Sequence, residues 1–152
     1  MARKLNVPIF ATKATLKDRF ICDNEELLNC ISCDGVIKIG SLKIEAFSKS
    51  HSAVDPVSFN IYDKKKISVI TDAGYACENI KKHVSDCDFL CIEANHDEHM
   101  LETGPYLPHH KQWVKSDKGH LSNKQAAECV RDYSSEKLKG IVLSHLSKIN
   151  NT

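Results

Sequence analysis

A chain of 152 residues, 41% hydrophobic and 27% charged, has room for one modest core and the composition of an ordinary folded domain, which excludes a disordered segment. A formal net charge of +1 offers no global attraction to polyanions or lipid surfaces, so nucleic-acid binding would have to come from a local patch. No apolar run approaches the ~20 residues that span a bilayer and residues 1–6 carry no signal-peptide core, which together read as a cytoplasmic protein without membrane partners.

Residues 1–6 read as the last turn of a helix running into a short strand over 7–10. Apolar spacing at Leu16, Phe20, Leu27 and Leu28 predicts two short helices, or a helix and a loop, over 12–30. The seven cysteines, odd in number and without a leader, are expected as reduced thiols. Cys30-x-x-Cys33 lacks the second pair of a zinc ribbon, which leaves a zinc module there as a weak alternative. From Val36 the apolar period becomes two, giving strands 36–39 and 42–47 joined by a Gly40-Ser41 hairpin turn. A polar loop over 48–56 holds His51, and strands 57–62 and 67–71 follow across a lysine-rich turn read as solvated. A helix over 75–84, a buried strand over 87–92 and a helix over 107–115 with Pro108 in its first turn come next. Ser122-x-x-Gln125 is a capping box opening a helix over 122–133, and the last strand runs 140–143.

Polar groups collect where these strands stop. Asp72 ends the apolar run 66–71, Glu93 ends the strand 87–92, His51 and His145 follow strands, and His120 sits in a Gly-His-Leu-Ser-Asn turn just ahead of a helix. A rigid sheet holds such side chains while the turn beyond admits a ligand, and histidines with carboxylates are the residue types of a divalent-metal hydrolase. Taken singly, each has a plainer reading: Asp72 as a turn or N-cap residue, Glu93 as a cap, His51 and His145 as loop histidines. His83, His99, His109 and His110 read as surface residues, and Trp113 as core packing, not a base-stacking platform.

In register, the motifs Ser-His-Ser-Ala-Val-Asp-Pro-Val around His51, Ile-Thr-Asp-Ala-Gly-Tyr around Asp72, Ile-Glu-Ala-Asn-His-Asp-Glu-His-Met-Leu from Ile92, Gly-Pro-Tyr-Leu-Pro, Gly-His-Leu-Ser-Asn and Leu-Ser-His-Leu-Ser resemble the metallo-β-lactamase-fold hydrolases. The likeness is greatest to their YycJ/WalJ-like branch of DNA exonucleases. It implies an α/β fold of the four-layer αββα sandwich type, present in part, and hydrolysis of nucleic-acid phosphodiesters, DNA before RNA. Carried over, His51, Asp72 and His145 match metal ligands, Asp72 being the bridging carboxylate, while Glu93 and His120 match a pair acting at the leaving group. Two divalent ions, zinc or manganese, belong to the complete family site. No residue here supplies the family's early His-x-His-x-Asp-His motif, so the expectation is a single, incomplete domain, a C-terminal piece holding at most one weakly bound ion and prone to self-association. Its alternative is a truncated non-catalytic remnant, or a subunit needing an N-terminal partner. Ser52 stands where many relatives have Asp, which removes an expected support of His51.

Overall fold

The computed structural model describes residues 2–18 and 20–152. Its centre is a six-stranded sheet in sequence order: β3 (Val36–Ile39), β4 (Leu42–Ser48), β5 (Val57–Tyr62), β6 (Lys66–Ile70), β7 (Phe89–Glu93) and β8 (Gly140–Ser144). The first four strands pair antiparallel, β3 to β4 and β5 to β6 through short turns and β4 to β5 through the loop that carries His51, and Gly40 takes φ +60° in the turn that sets Ile39 opposite Leu42. β6, β7 and β8 are parallel, and helical crossovers bring the chain back each time.

Those crossovers contain α3 (Glu78–Ser85), α4 (Glu98–Thr103), α5 (Pro108–Lys115) and α6 (Asn123–Tyr133). The capping box holds at α6: Ser122 Oγ accepts from Gln125 N–H at 3.1 Å while Gln125 Oε1 accepts from Ser122 N–H at 2.8 Å. One face of the sheet presents Phe47, Ile70, Leu90 and Ile92, which pack with Ile80 and Val84 of α3 and Ala126 and Cys129 of α6 into the core. The opposite face presents Ile44, Ile61, Ile67 and Phe89 in one row and Ala46, Phe59, Val69, Cys91 and Val142 in the next. Over part of it lies the N-terminal region: α1 (Ala2–Leu5), β1 (Ile9–Ala11), α2 (Lys13–Asp18), a 3-10 turn at Glu25–Leu27 and β2 (Leu28–Cys30), with β1 and β2 paired in parallel. Phe10, Ala11 and Thr15 share a cavity wall with Val57 and Phe59. Helices, sheet and this second small sheet are the layers of the expected α/β sandwich, the second sheet being only two strands.

Several elements differ from the sequence reading. β2 and α4 were not anticipated, and α3 begins three residues late, because Tyr75 to Cys77 continue the turn after β6. Lys66 is no solvated turn residue but is 5% exposed, and His83 is not on the surface but 6% exposed. Their reason is a polar network on the helix-covered face. His83 Nδ1 faces the Asn60 amide nitrogen at 3.0 Å and Lys66 Nζ at 3.1 Å, Asn60 Nδ2 also reaches Glu45 at 2.9 Å, and Lys66 Nζ reaches Asp86 at 3.3 Å. All seven cysteines are free thiols, as expected.

Two donors aimed at His83 Nδ1 require that nitrogen to accept, so the ring is neutral in the folded chain. Burial pushes its pKa down and the charges of Lys66 and Lys82 add to that, against Glu45 and Asp86. The unfolded chain therefore takes up this proton first, and stability present above pH ~6.5 is lost as pH falls below it. Thermal melts at pH 7.5 and 5.5 should show this loss. His83→Gln should reduce it without abolishing it, since buried His96 is shifted the same way; an unchanged pH dependence in the variant would refute the assignment. The uncovered apolar face makes a second prediction, because Ile67, Phe89 and Val142 on it are 38%, 41% and 63% exposed. The isolated chain should sediment as a dimer or larger species at micromolar concentration, whereas a monodisperse monomer would contradict this.

Candidate metal centre

Parallel pairing of β6, β7 and β8 brings their C-terminal ends to one edge of the sheet, and there the five candidate residues meet. Asp72 Oδ1 lies 3.7 Å from His51 Nε2, 3.5 Å from His145 Nε2 and 3.9 Å from His120 Nδ1. Donor atoms of Asp72, Glu93, His120 and His145 all fall within 4.8 Å of one another. Among the described residues, no other set of three or more such side chains gathers, and Cys30 and Cys33 join none.

Each imidazole is oriented by a partner behind it. His51 Nδ1 is 3.0 Å from the Gly119 carbonyl, which can only accept, so Nδ1 carries the proton and Nε2 presents its lone pair toward Asp72. Gly119 thus supplies the support that Ser52, exposed at this position, does not. Glu93 is fully buried and its Oε1 takes His120 Nδ1 at 2.7 Å and His145 Nδ1 at 2.5 Å, while Oε2 accepts the Ala73 N–H at 2.7 Å. Burial pushes this carboxyl upward, but the hydrogen bonds from His120, His145 and Ala73 outweigh it and hold the group below the ordinary carboxylate range. With Nδ1 engaged, His145 also turns Nε2 to Asp72.

Loop contacts hold the arrangement. Gly74 N–H donates to Ser50 O at 2.9 Å, Ser52 N–H to Lys118 O at 3.1 Å, and Ser50 Oγ to Asp117 O at 2.6 Å. A Cβ on Gly74 would stand 1.9 Å from Asp117 O, so the glycine admits a neighbouring loop rather than a ligand. Asn95 N–H donates to Leu121 O and Asn95 Nδ2 to His145 O, both at 2.9 Å, tying the turns of Glu93, His120 and His145 together. Asp72 and His145 sit at φ +51° and +56°, left-handed conformations that cost roughly 1–3 kcal/mol each and persist only where surroundings impose them.

The donor set fits a divalent cation. In a tetrahedral site with bonds of about 2.1 Å, neighbouring donors stand about 3.4 Å apart. The 3.5 and 3.7 Å separations from Asp72 Oδ1 to the two Nε2 atoms are close to that edge. Asp72 could therefore share an ion with His51 or with His145, with Glu93 engaged behind them.

Two neighbours were not singled out from sequence. Lys49, one residue past β4, donates from Nζ to Thr71 O; burial lowers its pKa, and attraction to Asp72 and Glu93 opposes that. The strand-end rule that selected the other residues could have found it. Trp113 is not core but 41% exposed, its indole edge-on to His120 with ring centroids 5.4 Å apart at 78°.

Residues 2–145 match the family described as a beta-lactamase superfamily domain. Over 160 aligned residues the chain is 32% identical to the exodeoxyribonuclease YycJ of Bacillus anthracis, covering 99% of this chain and 59% of the relative. The corresponding values for the exodeoxyribonuclease WalJ of Streptococcus pneumoniae are 34%, 99% and 58%, so the chain spans less than two thirds of the curated relatives it matches. The crystal structure of the metallo-β-lactamase fold protein YhfI from Bacillus subtilis superposes with a TM-score of 0.66 at 16% identity, covering 96% of this chain and 56% of that one. Zn²⁺-bound PqqB from Methylobacterium extorquens gives 0.63 at 14%, covering 94% and 56%. At such identities the superpositions speak to the fold alone.

With three donors from this chain, Zn²⁺ or Mn²⁺ should bind in calorimetry as one ion per chain, with micromolar or weaker affinity. Asp72→Ala should weaken binding at least tenfold, since it removes the one anionic donor. Two tight, equivalent sites on the unaltered chain would contradict this account.

Proposed function

Because these residues belong to the beta-lactamase superfamily, we propose that the protein they build is a metal-dependent phosphodiesterase that acts on nucleic acid, DNA before RNA, as an exonuclease in the cytoplasm. The observation that carries this reading is the approach of His51 and His145 to one carboxylate, Asp72, beside an imidazole, His120, that is held by a buried carboxylate. The names of the curated relatives, both exodeoxyribonucleases, favour DNA.

A divalent cation, zinc or manganese, would supply Lewis-acid stabilisation of charge on the phosphoryl group. The chain's own residues do the rest. Asp72, with His51 or His145, would hold the cation. Glu93 does not meet substrate: fully buried, it fixes the rings of His120 and His145. His120, with Nδ1 bonded to Glu93, keeps its second ring nitrogen free of that bond, and this nitrogen delivers a proton to the leaving oxygen.

One observation favours a second reading. The 152 residues contain no His-x-His-x-Asp-His motif, so their donors suit one ion where two-metal hydrolysis needs two. On that reading the chain is non-catalytic by itself and acts only with donors supplied by another polypeptide or segment. The readings separate in one experiment. The chain alone should show no turnover on DNA, whereas fusion of a motif-bearing segment from a curated relative ahead of Met1 should produce metal-dependent nuclease activity; a silent fusion that binds two metals would favour the non-catalytic reading.

In the active fusion, Asp72→Ala should abolish cleavage of both DNA and a nitrophenyl phosphodiester. His120→Ala should cost about 10²–10⁴-fold on DNA and little on the nitrophenyl substrate, whose leaving group needs no proton. Equal losses on the two substrates would rule out the acid role.

A further inference from the structure

Beside the metal centre lies a cavity of about 340 Å³, continuous with it because His120 and His145 form one wall. We propose that this cavity is a nucleobase platform: the base of the nucleotide at the reacting end lies against Trp113, and its phosphate sits toward His120, His145 and Lys148. This rests on the nucleic-acid reading above and deepens it.

Size comes first. At about 340 Å³ the cavity lies at the small end of ligand pockets, enough for one nucleoside and too small for a duplex. Its walls then give the chemistry. Trp113 is 41% exposed although Val114, next to it on α5, is buried, so the helix turns its largest ring to the cavity. The indole stands at 78° to the His120 ring, with ring centroids 5.4 Å apart. Tyr106 and His110, with ring centroids 5.7 Å apart, extend the aromatic surface, and Leu146 adds an apolar patch. Lys148 contributes an exposed ammonium, and no carboxylate is among the described residues lining the cavity. An aromatic face with cationic and imidazole neighbours and no acid suits a flat, uncharged base joined to an anionic phosphate. An acidic or purely aliphatic ligand would leave either the rings or the cation unused.

The sequence has one tryptophan, so its fluorescence reports from this cavity alone. The 152-residue chain, without divalent metal, should be titrated with 2′-deoxyadenosine 5′-monophosphate and with deoxyribose 5-phosphate, which lacks the base. The nucleotide should quench saturably, and the sugar phosphate should bind at least tenfold more weakly. By calorimetry, Trp113→Ala should weaken nucleotide binding about 5- to 150-fold, the range of one base–aromatic stack. Trp113→Phe, which keeps an aromatic face, should stay within a few-fold and so separates a lost platform from a lost fold. Equal binding of the two ligands, no saturable quenching, unchanged affinity in Trp113→Ala, or equal losses in the Ala and Phe variants would each overturn the proposal. No turnover or metal enters the measurement, so failure of the hydrolase reading leaves a positive result standing, and failure of the platform leaves metal binding untouched.

Discussion

The carboxylate of Glu93 is the constraint on which the site depends. A fully buried charge is costly unless hydrogen bonds replace its water, and here three do so from three separate stretches of chain: the Ala73 N–H after β6, His120 ahead of α6, and His145 after β8. One side chain therefore fixes the turn that carries Asp72 and two imidazoles at once. It also selects the tautomer of His145, leaving Nε2 toward Asp72, as the Gly119 carbonyl does for His51. A hydrophobic residue of similar volume at this position could fill the space but could orient neither ring.

Sheet topology explains why such a carboxylate can reach all its partners. Parallel strands share a direction, so Asp72, Glu93 and His145, each at or just past a strand end, fall on one edge. An antiparallel arrangement of β6 to β8 would scatter them over two edges. Elsewhere on the sheet, the helix-covered face carries the network of Asn60, His83, Lys66 and Asp86. Its polar groups are satisfied internally and face packed helices, which makes it a structural feature and leaves the chemistry to the strand-end edge.

Much of this was legible because it follows local rules. Period-two alternation gave β3 to β6, the capping box gave the start of α6, and the strand-end position pointed to Asp72, Glu93, His51 and His145. What escaped depends on tertiary partners. Lys66 follows three polar residues and reads as turn, yet Asp86 and His83 meet it across the sheet–helix interface. β2 is three residues without alternation and exists through its pairing with β1. α4 is one and a half turns long, announced only by the Asp97 cap inside a stretch whose residue types drew attention as a motif. Trp113 misled because a large aromatic on an amphipathic helix usually faces the core, whereas here Val114 does so. The support of His51 by Gly119, 68 residues away in sequence, has no local signal at all.

The central claim is that a divalent cation is held here by histidine nitrogen and carboxylate oxygen, and zinc K-edge X-ray absorption on the chain loaded with one equivalent of Zn²⁺ tests it most directly. The account predicts a first shell of nitrogen and oxygen at about 2.0–2.2 Å, with outer-shell scattering of imidazole rings that is lost when His51 and His145 are replaced by alanine. A sulfur shell at about 2.3 Å would place the ion on cysteines such as Cys30 and Cys33 and contradict it.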